Sequence, residues 1–208
     1  MVAIKRELLI KDHPLWELEE IAEDAIKNAE SCSHEYRVDI ERLIEIKYAI
    51  IIDVFYGLQA KYGVMAFMLT QAKRLFIDDR LIDDPRQEKR YRFTLAEELA
   101  HFLIHNNLYK DCKTIADRME KESLLTRQEL WFLETNAKAL GSAILMPKKL
   151  VEKRVNELIS YFGNKPNYTD TIINALAHDF DVNPAAVKRR LKNLGYHKRS
   201  NLNFGYDV

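Results

Sequence analysis

The sequence predicts an α+β fold: a small sheet of three short strands, two long helices that carry the polar chemistry, and an all-helical carboxy-terminal region. Three observations lead there. Short apolar runs punctuated by Gly57, Gly63 and Asp78-Asp79 are gathered between residues 48 and 77. Two adjacent glutamates and two histidines share one helix-forming segment, 84–105. After Pro147 every segment has helical periodicity.

The bulk properties are those of an ordinary globular protein. With 208 residues, 47% of them hydrophobic, the chain can bury a real core. Lys+Arg and Asp+Glu are both 32, so no whole-protein field draws it to nucleic acid or to an anionic membrane. Lys5, Arg6 and Glu7 stand where a signal peptide needs its apolar stretch, and the densest apolar run, Tyr48 to Ile52, is far too short to span a bilayer. The expectation is a cytoplasmic protein with no membrane partner. Cys32 and Cys112 fit neither a disulfide framework nor a CxxC metal pattern and read as free thiols filling apolar space. Trp16 and Trp131 read as core anchors.

Taken in order, residues 13–31 form an amphipathic helix with Leu15, Leu18, Ile21, Ala22, Ala25, Ile26 and Ala29 at helical spacing. A short helix follows over 39–46, carrying Ile40, Leu43 and Ile44. Strands are expected over 48–52, 63–69 and 74–77. Asp84-Pro85 is a helix start, with Asp as N-cap and Pro at the first helical position, and that helix runs to about His105. A later start at Thr94, through the capping-box form Thr94-Leu-Ala-Glu97, would leave the basic stretch 86–92 unassigned. A second long helix covers 127–145 and stops at Met146-Pro147. Helices over 149–162, 168–180 and 184–194 complete the chain, the last closed by Gly195. The organisation is therefore a core of residues 1–147 and a helical region of 148–208.

Chemistry concentrates on the 84–105 helix. Leu95, Ala96, Leu99, Phe102 and Leu103 form its apolar stripe, and Thr94, Glu97, Glu98, His101 and His105 a polar stripe beside it. Paired carboxylates and histidines on a largely apolar helix are costly to bury unless they bind something or each other. Glu97-Glu98-Leu99-Ala100-His101 is one residue away from H-E-x-x-H. In that motif, histidines four apart project from one helix face onto one ion, and the glutamate is general base for the metal-bound water. The base position is kept as Glu98 and the second ligand position as His101, but the first ligand position holds Glu97. On the 127–145 helix, the small residues Ala137, Ala139, Gly141, Ser142 and Ala143 permit close approach of another helix, so Glu134 can face the polar stripe as third ligand.

These segments resemble the ImmA/IrrE family of metallo-endopeptidases, with its zincin-like core. The resemblance runs through Arg92, Phe93, Thr94, Leu95, Ala96, Glu98, Leu99, His101 and His105, and downstream through Glu134, Ala137, Leu145, Met146 and Pro147. It also takes in Val38-Asp39-Ile40-Glu41 and the tail Leu176 to Gly195, so it covers roughly residues 13–196. It implies Glu98 as general base, His101 and Glu134 as ligands of a zinc ion, and a helix-turn-helix repressor, controlling a mobile element or a stress regulon, as substrate. Two departures stand out. Glu97 replaces the first histidine, and Lys138 stands where the family has Asn or Asp supporting the site.

Three readings follow from the departures. Glu97 can itself be a ligand, giving a two-carboxylate, one-imidazole set that tolerates manganese or iron as well as zinc and makes the bound water less acidic. Alternatively the protein is a metal-free pseudopeptidase that binds a repressor or other regulatory partner. Lys138, one turn after Glu134, would then neutralise Glu97 and Glu134. In the third reading His101 and His105, also four apart, chelate with Glu134, although position 105 is His in the family too and is by default a hydrogen-bonded packing residue. In the tail, Lys188, Arg189, Arg190, Lys192, Lys198 and Arg199 stand among residues 184–200 without an acid. The 176–194 segment resembles a helix-turn-helix, so Arg189 and Arg190 are candidate DNA contacts, against the alternative of a solvated helix face.

Overall fold

The computed structural model describes residues 9–27, 33–162 and 169–196. Cys32, His197, Lys198 and Arg199 lie outside them. The first helix, α1 (Leu15–Ile26), enters through Pro14 and buries Leu18, Ala22 and Ala25. A two-stranded ribbon, β1 (Ser33–His34) and β2 (Arg37–Val38), leads to α2 (Ile40–Arg42), whose N-cap Asp39 accepts from the Arg42 N–H. Helix α2 continues as a π-helical turn over Leu43–Lys47.

The expected sheet is present: β3 (Ile51–Phe55), β4 (Ala66–Leu69) and β5 (Arg74–Asp78). Strand β5 is central, parallel to β3 (Ile51 opposite Arg74) and antiparallel to β4 (Ala66 opposite Ile77). Two starts are displaced, for physical reasons. Residues 48–50 close the π-helical turn, with Ile50 N–H donating to the Ile44 carbonyl and Ala49 at φ 52°, so β3 begins at Ile51. Gly63 terminates a short helix, α3 (Leu58–Tyr62), which delays β4 to Ala66.

After α4 (Arg80–Asp83), Asp84 caps a 3₁₀ turn at Pro85–Gln87 that runs into α5 (Glu88–Ile104), so the earlier of the two candidate starts is the observed one. Two helices absent from the sequence reading follow, α6 (Asn106–Tyr109) and α7 (Ile115–Ser123). A reciprocal capping box between Thr114 and Asp117 starts α7. The second long helix, α8 (Arg127–Leu145), starts on a Thr126–Glu129 capping box and stops at Met146. The tail is α9 (Lys148–Phe162), α10 (Thr169–Asp179) and α11 (Pro184–Asn193), with Gly195 at φ 79° closing the last.

One buried cluster joins these layers. It takes Leu75 and Ile77 from the sheet, Leu95 and Leu99 from α5, Leu140 and Ile144 from α8, and Val155, Ile172 and Leu191 from the tail. The core thus runs across the residue 147/148 boundary. Two buried arginines reinforce the junction: Arg92 donates to the carbonyls of Val38 and Asp181, and Arg190 donates to the Met146 carbonyl and pairs with Glu19.

Three expectations are corrected. Trp16 and Trp131 are 64% and 58% exposed. Each lies two residues before a buried leucine, Leu18 or Leu133, and two residues turn an α-helix by about 200°, onto the opposite face. Arg190 is 1% exposed, so a guanidinium locked on Glu19 is not offered to a DNA phosphate. Cys112 is a buried free thiol, as expected.

Helices α5 and α8 touch backbone to backbone at Gly141. A Cβ there would stand 3.0 Å from the carbonyl carbon and oxygen of Ala96 and 3.1 Å from the Glu97 nitrogen. Gly141→Val should therefore lower stability by about 2 kcal/mol, because overpacking against backbone outweighs the few tenths gained in helix propensity. Urea unfolding checks this.

Candidate functional site

That contact sets the site. Lys138, one turn before Gly141 on α8, reaches Glu97 on α5, with Nζ 3.6 Å from Glu97 Oε1 and 2.8 Å from Glu134 Oε2. Glu97, Glu98, His101, Glu134 and Lys138 all line one cavity of about 530 Å³, between β4, α5, α7, α8 and the first turn of α11. The two stretches of chain singled out in the sequence are thus brought together.

The carboxylates are not free in this cavity. Glu98, 6% exposed, is paired with Arg118 of α7, Nη1 to Oε2 at 2.8 Å. Arg118 also pairs with Glu122 at 2.9 Å, and its guanidinium lies 4.6 Å from the centre of the Tyr109 ring. Tyr109 in turn donates to Glu122 at 2.7 Å. Burial opposes the Arg118 charge, but Glu98, Tyr109 and Glu122 outweigh it and hold the guanidinium protonated. Burial pushes Glu97 up to about 7, with Lys138 pulling it partly back. Burial works against Lys138 too, yet its bond to Glu134 and its proximity to Glu97 raise its affinity for the proton.

His101 is held well below the ordinary imidazole range by burial and then by Arg118. Burial, together with His13 and Arg118, brings His105 down to about 4. Both rings are therefore neutral near pH 7. Their Nδ1 atoms are 3.0 Å apart and share one proton, donor to acceptor. The third reading needs both rings on one ion, whereas His101 lines this cavity and His105 lines a different one. The bond between their Nδ1 atoms leaves only the Nε2 atoms as donors to an ion.

Arg118 was not anticipated. It lies on a helix of nine residues, and its partner Glu98 is twenty positions away, so no periodicity couples them. The Thr114-x-x-Asp117 capping signature could have revealed the helix, though not its reach. Arg189, the other candidate DNA contact, lines the rim of the same cavity.

A cavity floored by E-E-x-x-H on one helix and a glutamate on the next, beside a small mixed sheet, defines a peptidase-like α+β protein. The family model Peptidase M78, the IrrE N-terminal-like domain, matches residues 48–192, and the chain belongs to that family. Among solved structures, a Mycobacterium tuberculosis transcriptional regulator matches with a TM-score of 0.55 and 16% identity, over 85% of this chain and 46% of that one. It shares the fold, and the present chain spans about half its length. No curated protein matches the chain.

The family is generally zinc-dependent, but the residues of this site do not fit a zinc ion. Among the described residues no three His, Cys, Asp or Glu side chains are grouped to hold a metal. Two protein cations already neutralise the carboxylates that a divalent ion would need. The histidine pair adds a further obstacle. Freeing His101 Nε2 as a ligand places the shared proton on His101 Nδ1 and a hydrogen on His105 Nε2, a buried atom without a partner among the described residues. An unpaired buried donor costs about 1–3 kcal/mol.

Two outcomes follow. Because the native carboxyl of Glu97 holds its proton up to about pH 7, against 4.5 for the ordinary group, the folded state binds more protons than the unfolded state between those values. Its contribution to stability is full below pH 4.5 and is lost as pH rises through 7. Relative to Glu97→Gln, the native protein should lose about 1–3 kcal/mol between pH 4.5 and 8, allowing for partial solvent contact; urea unfolding across that range measures it. Arg118→Met should cost about 3–5 kcal/mol by leaving Glu98 charged and unpaired, and adding Glu98→Gln should recover most of it.

Proposed function

We propose that this chain is a non-catalytic member of its family, a pseudopeptidase that uses the cavity to bind a regulatory protein. The single observation that carries this reading is the double neutralisation of the motif, Glu98 by Arg118 and Glu97 with Glu134 by Lys138. A general base must hold the attacking water, and one Glu98 oxygen is already taken by the buried Arg118 guanidinium. Two monovalent cations supply the charge that the family obtains from an ion, so the helices keep their spacing without one. Family membership suggests a helix-turn-helix repressor as partner and the cytoplasm as its place of action. Among the described residues no helix is long and apolar enough to cross a membrane.

The second reading is a metallopeptidase that cleaves such a repressor. It is favoured by the convergence of Glu97, Glu98, His101 and Glu134 on one cavity, but it requires Arg118 to leave the buried Glu98 and Lys138 to leave Glu97 and the half-exposed Glu134.

Elemental analysis and incubation with a repressor encoded beside the gene separate the two. The expected result is protein purified without stoichiometric metal that forms a complex with the repressor and leaves it intact. Cleavage with bound zinc or manganese, abolished by Glu98→Gln, would overturn the proposal. Glu97→His combined with Lys138→Asn should restore zinc binding measurable by calorimetry, because it returns the missing imidazole and removes the competing ammonium.

A further inference from the structure

The charges that line the candidate cavity fall into two groups. On its floor each cation is engaged: Arg118 pairs with Glu98 and Glu122, and Lys138 with Glu97 and Glu134. Arg90, near the start of α5, and Arg189 of α11 line the same cavity and are exposed. Neither guanidinium has an acidic partner among the described residues, and every carboxylate of the lining is already paired with Arg118 or Lys138.

Bonds made by their neighbours fix where these two arginines stand. Arg92 donates to the Asp181 carbonyl, which holds the first turns of α5 against the turn that precedes α11. Arg190 donates to the Met146 carbonyl and pairs with Glu19, so the α11 backbone beside Arg189 is held as well. The α11 residues that line the cavity with Arg189, namely Asn183, Ala185 and Ala186, bear no charge. Two free cations at the mouth of a cavity favour an anionic group there, and the guanidinium fork is matched to a carboxylate.

Spacing decides what can reach both the mouth and the floor. Arg90, Phe93, Thr94, Glu97, Glu98 and His101 all line the cavity, so a single face of α5 runs along it. From Arg90 to Glu97 is about 10 Å along the helix axis, which an extended peptide covers in about three residues. The wall is apolar at Phe67, Ile115 and Met119. A cavity of about 530 Å³ admits a peptide segment but not a DNA duplex.

We propose that the cavity receives an extended segment of the partner protein in which an acidic side chain lies about three residues from an apolar one. Arg90 and Arg189 bind the acid at the mouth, and the apolar side chain lodges against Phe67, Ile115 and Met119. This rests on the reading that the cavity takes a regulatory protein, and it supplies the chemistry by which that protein is selected.

The probes are three blocked alanine-based peptides with a leucine, which differ only in a pair of residues three positions before it: glutamate, glutamine or lysine. Titrated into the ¹⁵N-labelled full chain, the glutamate peptide should bind saturably below about 5 mM and about tenfold more tightly than the glutamine peptide, with lysine weakest. Added salt should narrow that preference. Arg90→Gln combined with Arg189→Gln should remove it and leave the affinity of the glutamine peptide unchanged, since neither side chain supports the fold. Equal affinities, a preference for lysine, a preference that survives the double variant, or no saturable binding would each overturn the proposal. Duplex DNA bound through the same two arginines, with no preference among the peptides, would assign them to nucleic acid and overturn it too. A repressor that stays intact and binds the double variant as well as the native protein would end this inference and keep the pseudopeptidase reading. A repressor that is cleaved, with the glutamate preference present, would do the reverse.

Discussion

The site depends on how closely two helices can lie. Gly141 presses α8 onto the α5 backbone at Ala96 and Glu97, and the meeting of the α8 side chains with Glu97 follows from that contact. It places Lys138 between Glu97 and Glu134, and it leaves Glu97 too buried to ionise easily. A larger residue at position 141 would separate the helices and dissolve the charge cluster as a unit. Ala137, about one turn before Gly141 on the same face of α8, is fully buried as well, so the room for close approach extends beyond one position.

The electrostatic balance is set by number and placement of charges. A divalent ion puts two positive charges at one point, and several carboxylates can share it. Here two single charges arrive from different helices, Arg118 from α7 and Lys138 from α8, and each is split between two carboxylates. The division leaves an excess of negative charge at each cation. Glu97 relieves part of it by holding a proton near neutrality. A buried guanidinium bonded to Glu98 and Glu122 and set against the Tyr109 ring is hard to displace, since any movement strands charge in a poorly solvated place.

Much of this was legible before the fold was known. The Asp84-Pro85 start, the stop at Met146-Pro147 and the 127–145 helix are written in local chemistry that tertiary contacts do not override. The meeting of the Glu97–His101 segment with Glu134 and Lys138 could be read from small residues facing a polar stripe. What escaped were features determined by distance. Arg118 and Glu98 are partners across twenty residues, and Arg190 and Glu19 across 171, so nothing in the local pattern marks them. Arg190 sits in a run of basic residues that has the texture of a solvated face, yet the phase of α11 turns it inward. Trp16 and Trp131 mislead in the opposite sense, because ring size suggests burial while helical phase decides it.

The two inward-facing arginines carry one more implication. Arg92 grips two carbonyls from separate parts of the chain, and Arg190 uses three nitrogens on a carbonyl and a carboxylate at once. Lysine in either place would preserve the electrical charge and forfeit the fork, since a single ammonium on a flexible stem cannot span those acceptors. The swap usually regarded as mildest for arginine would therefore unpin the last helices from the body. Tolerance to exchange at these two positions is set by the shape of the cation rather than by its sign.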